Sequence, residues 1–104
     1  MIIIKLFCQA GMSTSLLVYK MQQEIKLQNL DIAVKAYPVT SIITELPTAD
    51  VVLLGPQVVY KEADTLKLAK PLGIPVAVIE LKDYGMINGK GVLEKALKLV
   101  HKEV

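Results

Sequence analysis

The sequence predicts an α/β fold, with one domain over residues 1–104 and a four-stranded parallel sheet covered by helices on both faces. Short apolar runs rich in Val and Ile alternate four times with segments of helical periodicity. A chain of 104 residues with 53% hydrophobic content is long enough for one core and too short for two. The apolar runs are short and separated, as in buried parallel strands.

The first half of the chain holds two predicted strands and two predicted helices. Residues 2–7 form the first strand, which is apolar on both faces except at Lys5. Residues 13–28 are predicted as a helix because Leu17, Met21 and Ile25 share one stripe, and Asn29 ends it. Residues 31–37 alternate as a second strand. A short helix follows, capped by Thr40 or Ser41 and running through residue 46.

The second half repeats the alternation. Residues 51–54 form a fully apolar third strand that stops at Gly55-Pro56. A helix is predicted at residues 59–72, a fourth strand at 75–79, and a loop around residues 83–88. The last predicted helix covers residues 89–101.

The expected strand order is 2-1-3-4, the small flavodoxin-like arrangement with right-handed crossovers. In this order the helices after strands one and three leave on opposite faces of the sheet. Ligands bind at such a point, beyond the carboxyl ends of the strands. Cys8, after the first strand, is therefore expected to face Gly55-Pro56-Gln57, after the third.

Composition excludes several classes of protein. One cysteine and one histidine allow neither an internal disulfide nor a Cys/His metal cluster. The net charge of +2 is not clustered, so no nucleic-acid partner is expected. No apolar run approaches the roughly 18 residues of a membrane span, and Met1 leads straight into strand-like sequence. We therefore expect a soluble cytoplasmic protein without a signal peptide or membrane insertion.

The stretch Cys8–Ser15 carries the chemistry. A small-residue loop that turns into a helix can direct backbone N–H groups and the positive helix end toward an anion. A thiol in this position is favoured as a nucleophile. The alternative is a buried structural cysteine, but the cluster of Gly11, Ser13, Thr14 and Ser15 exceeds what a purely structural turn needs.

Other phosphate-binding loops do not fit. A Walker loop requires Gly-Lys-Ser/Thr where Gly11 is followed by Met12-Ser13, and the dinucleotide fingerprint requires three spaced glycines. The nearest catalytic loop is Cys-x5-Arg of the low-molecular-weight tyrosine phosphatases, which also follows a first parallel strand. Thr14 occupies the arginine position, and the chain has no arginine at all. Asp83 is the only acid in a loop expected on the same side. We interpret the missing arginine as a sign of a loop that holds phosphate on sulfur without promoting its hydrolysis.

Three segments closely resemble the IIB component of the bacterial sugar phosphotransferase system, lactose/cellobiose (chitobiose) family. They are residues 6–15 (LFCQAGMSTS), 53–58 (LLGPQV) and 83–89 (DYGMING), in register across nearly the whole chain. Gly55 stands where many members of this family have alanine.

The resemblance implies that Cys8 accepts a phosphoryl group from a phosphohistidine of the IIA partner. Cys8 would pass it to a β-linked disaccharide, such as cellobiose, chitobiose or lactose, bound in the membrane component IIC. The phosphate-binding loop is expected to be Gln9, Ala10, Gly11, Met12, Ser13, Thr14 and Ser15. Oriented amides and the helix end supply the positive potential, so no metal or cofactor is needed. A carrier that associates only transiently with its permease is expected to be monomeric.

Several residues receive secondary roles. Pro56, Gln57 and Tyr84 are expected at the rim of the site. Met12, Leu16 and Met86 are expected to form an apolar docking patch for IIA and IIC, because a Met-containing surface adapts to two partners. His101 is interpreted as a surface residue at a helix end rather than a phosphohistidine. Two alternatives stay open: a phosphatase or arsenate-reductase relative, and a non-catalytic regulatory domain.

Overall fold

Four parallel strands form the sheet in the computed structural model, which describes residues 1–9 and 12–100 and, for Met12 and Ser13, the backbone only. The strands are β1 (Ile2–Cys8), β2 (Ile32–Pro38), β3 (Val51–Leu54) and β4 (Val76–Val78). Their order is β2-β1-β3-β4, which confirms the predicted arrangement. The carboxyl ends of the two central strands, β1 and β3, therefore lie side by side.

Five α-helices lie in the described part of the chain: α1 (Met12–Leu27), α2 (Ile42–Glu45), α3 (Glu62–Ala69), α4 (Leu81–Gly85) and α5 (Gly89–Leu99). Asn29 ends the turn after α1 as predicted, with a φ of 54° and its N–H bonded to the carbonyl of Lys26. No helix among the described residues is both long and apolar enough to cross a membrane.

Two predicted helices differ from the structure. The single helix expected at residues 59–72 is instead α3 between two 3-10 segments, Pro56–Lys61 and Lys70–Leu72. The first segment begins earlier because Pro56 favours a helical start, and Val58 has non-helical dihedrals within it. Ser41 occupies the N-cap position of α2, one of the two predicted, but its side chain makes no capping hydrogen bond because the hydroxyl donates back to the carbonyl of Pro38.

The segment expected as a loop around residues 83–88 contains α4, so that prediction is wrong over Leu81–Gly85. This short helix is held by contacts with α5 and α1 that lie far away in the sequence, as described below. The last helix ends at Leu99, since Val100 is extended. His101 lies outside the described residues.

The alternation of side chains along β1 divides the core into two faces. Ile2, Ile4, Leu6 and Cys8 point to the face covered by α1 and α5. Phe7 points to the opposite face, where it packs with Ile42 and Leu46. Cys8 thus belongs to the face that α1 covers, and the site forms where α1 begins.

Candidate functional site

Cys8 is the last residue of β1 and the side chain on which the site is built. It is 5% exposed and free, and its Sγ lies 3.9 Å from the carbonyl oxygen of Tyr37 on β2. β1 is flanked by β2 and β3 on either side, so the backbone around Cys8 is fixed by the sheet. The thiol is thus held in place by a rigid element and not by a loop.

The turn after β3 lies directly beside Cys8. The N–H of Gly55 donates to the carbonyl of Phe7 at 2.9 Å. A Cβ placed on Gly55 would lie 3.5 Å from the Cβ of Cys8 and 3.2 Å from Oε1 of Gln57. The strand order therefore brings the Gly55-Pro56-Gln57 turn against Cys8, as the sequence predicted. Pro56 is half-buried and Gln57 is exposed, so the Gln57 amide is accessible from solvent.

Gln9, the residue after the thiol, contacts the same side of the crevice. Its Nε2 donates to the hydroxyl of Tyr60 at 3.5 Å. Tyr60 and its neighbour Val59 are both exposed. Sequence reasoning missed Tyr60, because nothing in the local pattern of residues 59–72 distinguishes it from other exposed helical positions.

Thr14 and Tyr84 meet on the opposite side of the site. The Thr14 Oγ1 and the Tyr84 hydroxyl are 2.8 Å apart, and Thr14 is only 1% exposed. The hydroxyl at the position of the phosphatase arginine therefore links the first turn of α1 to α4. Ser15 is exposed on α1. Ala10, Gly11 and the side chains of Met12 and Ser13 lie outside the described residues.

Asp83, the acid that a hydrolase would need, is hydrogen-bonded to two other side chains. Its carboxylate accepts hydrogen bonds from Lys95 Nζ at 2.7 Å and from Asn88 Nδ2 at 3.2 Å. The hydrogen bond from Lys95 and then that from Asn88 lower the pKa of Asp83 below its ordinary value. Asp83 is therefore ionised at neutral pH and cannot donate a proton to a leaving group.

Nor was Lys95 predicted from the sequence to bind Asp83. The one signal that could have found it is its place three residues after Val92, at the border of the apolar stripe of α5.

Two members of the expected docking patch are accessible. Leu16 is 43% exposed on α1, and Met86 is 71% exposed just after α4. Tyr60 and Val59 add exposed apolar surface after β3. The third expected member is Met12, whose side chain lies outside the described residues.

The family model and the relatives that match this chain describe the same kind of protein. Residues 3–95 match the model of the family described as "PTS system, Lactose/Cellobiose specific IIB subunit". The chain is 41% identical to the galactose-specific EIIB component of Lactococcus lactis subsp. cremoris over 95% of its own length and 96% of the relative's. It is 37% identical to the oligo-beta-mannoside-specific EIIB component of Bacillus subtilis, over 93% of this chain and 94% of that one.

Two solved structures are similar in shape. The cellobiose-specific IIB component of Borrelia burgdorferi superposes with a TM-score of 0.80 at 36% identity, over 95% of this chain and 91% of the other. The lactose-specific IIB domain of Streptococcus pneumoniae superposes with a TM-score of 0.86 over 97% and 98% of the two chains. At 14% identity, the second comparison bears on the fold alone.

Proposed function

The chain belongs to the lactose/cellobiose-specific IIB family of the sugar phosphotransferase system, and on this premise we propose that Cys8 is its phosphoryl carrier. Members of the family are phosphotransferases that act in sugar uptake. In the proposed cycle the donor is a phosphohistidine of a IIA partner, and the acceptor is a sugar bound by a IIC permease. The observation that carries the proposal is the placement of the free Cys8 thiol at the end of β1, beside the Gly55 turn and before the start of α1.

The first transfer loads the carrier. The sulfur of ionised Cys8 attacks the phosphorus of the phosphohistidine in line with the P–N bond. An S–P bond forms as the P–N bond breaks, and the electron pair of that bond returns to the imidazole nitrogen. The thiol proton of Cys8 is released to the surroundings before the attack, and the imidazole leaves in its neutral form because its other ring nitrogen carries a proton.

The second transfer delivers the group. A hydroxyl oxygen of the sugar attacks phosphorus, an O–P bond forms, and the S–P bond breaks with its electron pair left on sulfur. The hydroxyl proton is released to the surroundings, and Cys8 returns as a thiolate ready for another cycle. A loose transition state of this kind depends on positioning and on charge stabilisation rather than on a covalent role for further side chains.

The phosphoryl oxygens are bound, in this proposal, by the backbone amides of residues 9–15, with hydroxyl donors from Ser13, Thr14 and Ser15. The first turn of α1 contributes N–H groups that have no partner within the helix. Gln57, exposed beside Gly55, lies at the rim with Pro56 and Tyr84. The chain has no arginine, so the loaded group meets no guanidinium that would promote hydrolysis.

The proposed sugar is a β-linked disaccharide of the cellobiose, chitobiose or lactose type. The names of the relatives support this class: they include cellobiose-specific and oligo-beta-mannoside-specific EIIB components. Selectivity would then reside in the permease that binds the sugar. We place the carrier in the cytoplasm as a monomer, where it meets IIA and the cytoplasmic side of IIC in turn.

The decisive experiment is the mass of the intact protein after incubation with phosphorylated IIA. We expect the wild type to gain one phosphoryl group, and to gain none after its single thiol has been alkylated. Cys8→Ser should accumulate no phosphoprotein and support no sugar phosphorylation with IIA and IIC. Normal sugar-dependent transfer by Cys8→Ser would contradict the proposal, and so would a phosphoryl group located on any other residue. Steady hydrolysis of an aryl phosphate by the wild type would favour a phosphatase instead.

A further inference from the structure

A cluster of charged side chains lies between α5 and the start of α4. Lys95 on α5 donates to Glu80 Oε1 at 2.8 Å and to Asp83 Oδ2 at 2.7 Å. The Asp83 side chain is 11% exposed, while that of Lys95 is half exposed. Lys95 therefore joins α5 to both ends of the first turn of α4.

A second set of hydrogen bonds joins Asn88, at the end of the same segment, to Asp83 and to α5. The backbone N–H of Asn88 donates to the carbonyl of Asp83 at 2.9 Å, and its side-chain amide donates to the Asp83 carboxylate. Asn88 Oδ1 in turn accepts from the N–H of Gly91 and caps α5. We refer to residues 80–88 as the α4 segment. It is bonded to α5 at both of its ends.

The backbone of the α4 segment is strained at one point. Ile87 has a φ of 53°, in the left-handed region that a β-branched residue rarely adopts. Such a conformation persists only where the surrounding structure holds it. The Ile87 N–H donates to the carbonyl of Tyr84 at 3.2 Å, its carbonyl accepts from the N–H of Gly89 at 2.9 Å, and its side chain packs against the core.

Tyr84 connects this segment to α1. It directly follows Asp83, and its N–H donates to the carbonyl of Glu80 at 3.0 Å. Its hydroxyl is 2.8 Å from the buried Oγ1 of Thr14, in the first turn of α1. A continuous series of contacts and chain neighbours thus runs from Lys95 through Asp83 and Tyr84 to Thr14.

We propose that Lys95 is a positioning residue for phosphoryl transfer: by holding Glu80 and Asp83 it keeps the Tyr84 hydroxyl on Thr14 and so orients the first turn of α1. This inference rests on the proposed function, since it concerns the amides that would bind the phosphoryl group. Among the described residues Lys95 forms hydrogen bonds with Glu80 and Asp83 and with neither Cys8 nor Thr14; it acts through Tyr84. The expected size of the effect follows from the sensitivity of group transfer to position, where a displacement of about 1 Å can lower the rate up to about 100-fold.

The test is the rate of transfer from phosphorylated IIA to Lys95→Met, compared with the wild type. We expect the maximal rate to fall about tenfold while the concentration of IIA at half-maximal rate stays unchanged, because Lys95 orients the loop and does not dock the partner. Lys95→Arg retains a donor for both carboxylates and should recover most of the rate. The matched control is Lys98→Met, an exposed lysine near the end of the same helix, which should transfer like the wild type.

A double-mutant cycle distinguishes positioning from a general structural effect. If Lys95 acts through Tyr84, Lys95→Met should add little to the loss already caused by Tyr84→Phe. The amide resonances of Thr14 and Ser15 should shift in Lys95→Met and stay in place in Lys98→Met. Where Lys95→Met is poorly folded by urea titration, Glu80→Ala removes one of the two acceptors of Lys95 and takes its place in the cycle.

The outcomes separate the two proposals. A wild type that takes up no phosphoryl group overturns the proposed function and this inference together. An active wild type with Lys95→Met equally fast overturns the inference alone. Additive effects of Lys95→Met and Tyr84→Phe, or a change confined to the half-saturating concentration of IIA, would also overturn it, because they would assign Lys95 an independent role or a role in docking.

Discussion

At the residue scale, Gly89 marks a close approach of α5 to α1. A Cβ on Gly89 would lie 2.6 Å from the Cβ of Lys20, 2.7 Å from the carbonyl carbon of Lys20 and 2.8 Å from the N of Met21. Two of these atoms are backbone and none is the end of a flexible side chain. The helices can therefore approach this closely only with glycine at this position.

Gly89→Ala should lower the free energy of unfolding by about 1–3 kcal/mol, because α5 must move away from α1 to admit the methyl group. Gly85→Ala is the matched control, since a Cβ there meets no described atom within 4 Å. That variant should be unchanged or up to about 1 kcal/mol more stable, because alanine restricts the unfolded chain. Urea denaturation measures both. Equal stability of the two variants would contradict the close packing at Gly89.

Asp83 and Lys95 should make the stability of the fold depend on pH, one in the acidic range and the other in the alkaline range. The pKa of Asp83 lies below its ordinary value of 3.8, mainly because of the hydrogen bond from Lys95. The pKa of Lys95 lies above its ordinary value of 10.5, mainly because of the hydrogen bond to Asp83. The contribution of Asp83 is present above pH 3.8 and is lost as the pH falls through its lowered pKa. That of Lys95 is present below pH 10.5 and is lost as the pH rises through its raised pKa.

Asp83→Asn should therefore be less stable than the wild type at neutral pH, and the difference should shrink as the pH falls below 3.8. Urea midpoints of the two proteins at a series of pH values provide the measurement. Asp64→Asn, at an exposed acid in the first turn of α3, serves as the control and should change little. A difference for Asp83→Asn that persists unchanged into acid would show that the carboxylate charge is not what Lys95 recognises.

At the element scale, one lysine on β1 forms hydrogen bonds with α2 and with the turn that follows α2. Lys5 is 6% exposed, and its Nζ donates to Glu45 Oε1 at 2.9 Å and to the hydroxyl of Thr48. The ammonium also lies 5.1 Å from the centre of the Tyr37 ring, within the range of a cation–π contact. α2 and the turn that follows it are therefore fixed to the central strand by a nearly buried charge.

Removing the two partners should have unequal effects. Glu45→Ala leaves the Lys5 ammonium buried without its carboxylate and should cost about 2–3 kcal/mol of unfolding free energy. Lys5→Met removes the buried charge and fills its space, so it should cost less than about 1 kcal/mol or even stabilise the protein. Urea denaturation of both variants at neutral pH tests this order. A larger loss in Lys5→Met than in Glu45→Ala would mean that the pair contributes more than its desolvation costs.

At the scale of the whole molecule, the exposed apolar side chains Leu16, Met86 and Leu27 lie at different places along α1. Leu16 projects from the N-terminal part of α1, whereas Met86, just after α4, lines a groove with Leu27 near the other end of that helix, so the structure does not place Met86 in one patch with Leu16. Leu27 is also exposed but ends the same helix, eleven residues further along, or about 16 Å down its axis. A partner that reaches Cys8 would cover Leu16 and leave Leu27 in solvent.

Leu16→Asp should raise the concentration of phosphorylated IIA needed for half-maximal transfer by about tenfold, because a charge at the centre of an apolar contact opposes desolvation. Leu27→Asp, at the opposite end of α1, should leave transfer unchanged. The measurement is the rate of phosphoprotein formation as IIA is varied, with circular dichroism to check that both variants fold. Equal behaviour of the two variants would exclude Leu16 from the docking surface.

The sequence by itself determined the strand order and the position of Cys8 at the end of β1, next to the turn after β3. The periodicity of each run shows that strands and helices alternate, which indicates a parallel sheet with right-handed crossovers, and in the flavodoxin-like order 2-1-3-4 the first and third strands are neighbours. The three segments that indicated the family are local as well. Residue type and spacing are sufficient wherever a structure is specified by neighbours along the chain.

Only the tertiary structure decided the form of residues 80–88 and the surroundings of Thr14. α4 was expected as a loop because its five residues carry too little periodicity to predict a helix, and it is held by Lys95, twelve residues beyond Asp83. The bond between Thr14 and Tyr84 spans seventy residues. Contacts of this length depend on how the helices pack across the sheet, and no local pattern records that packing.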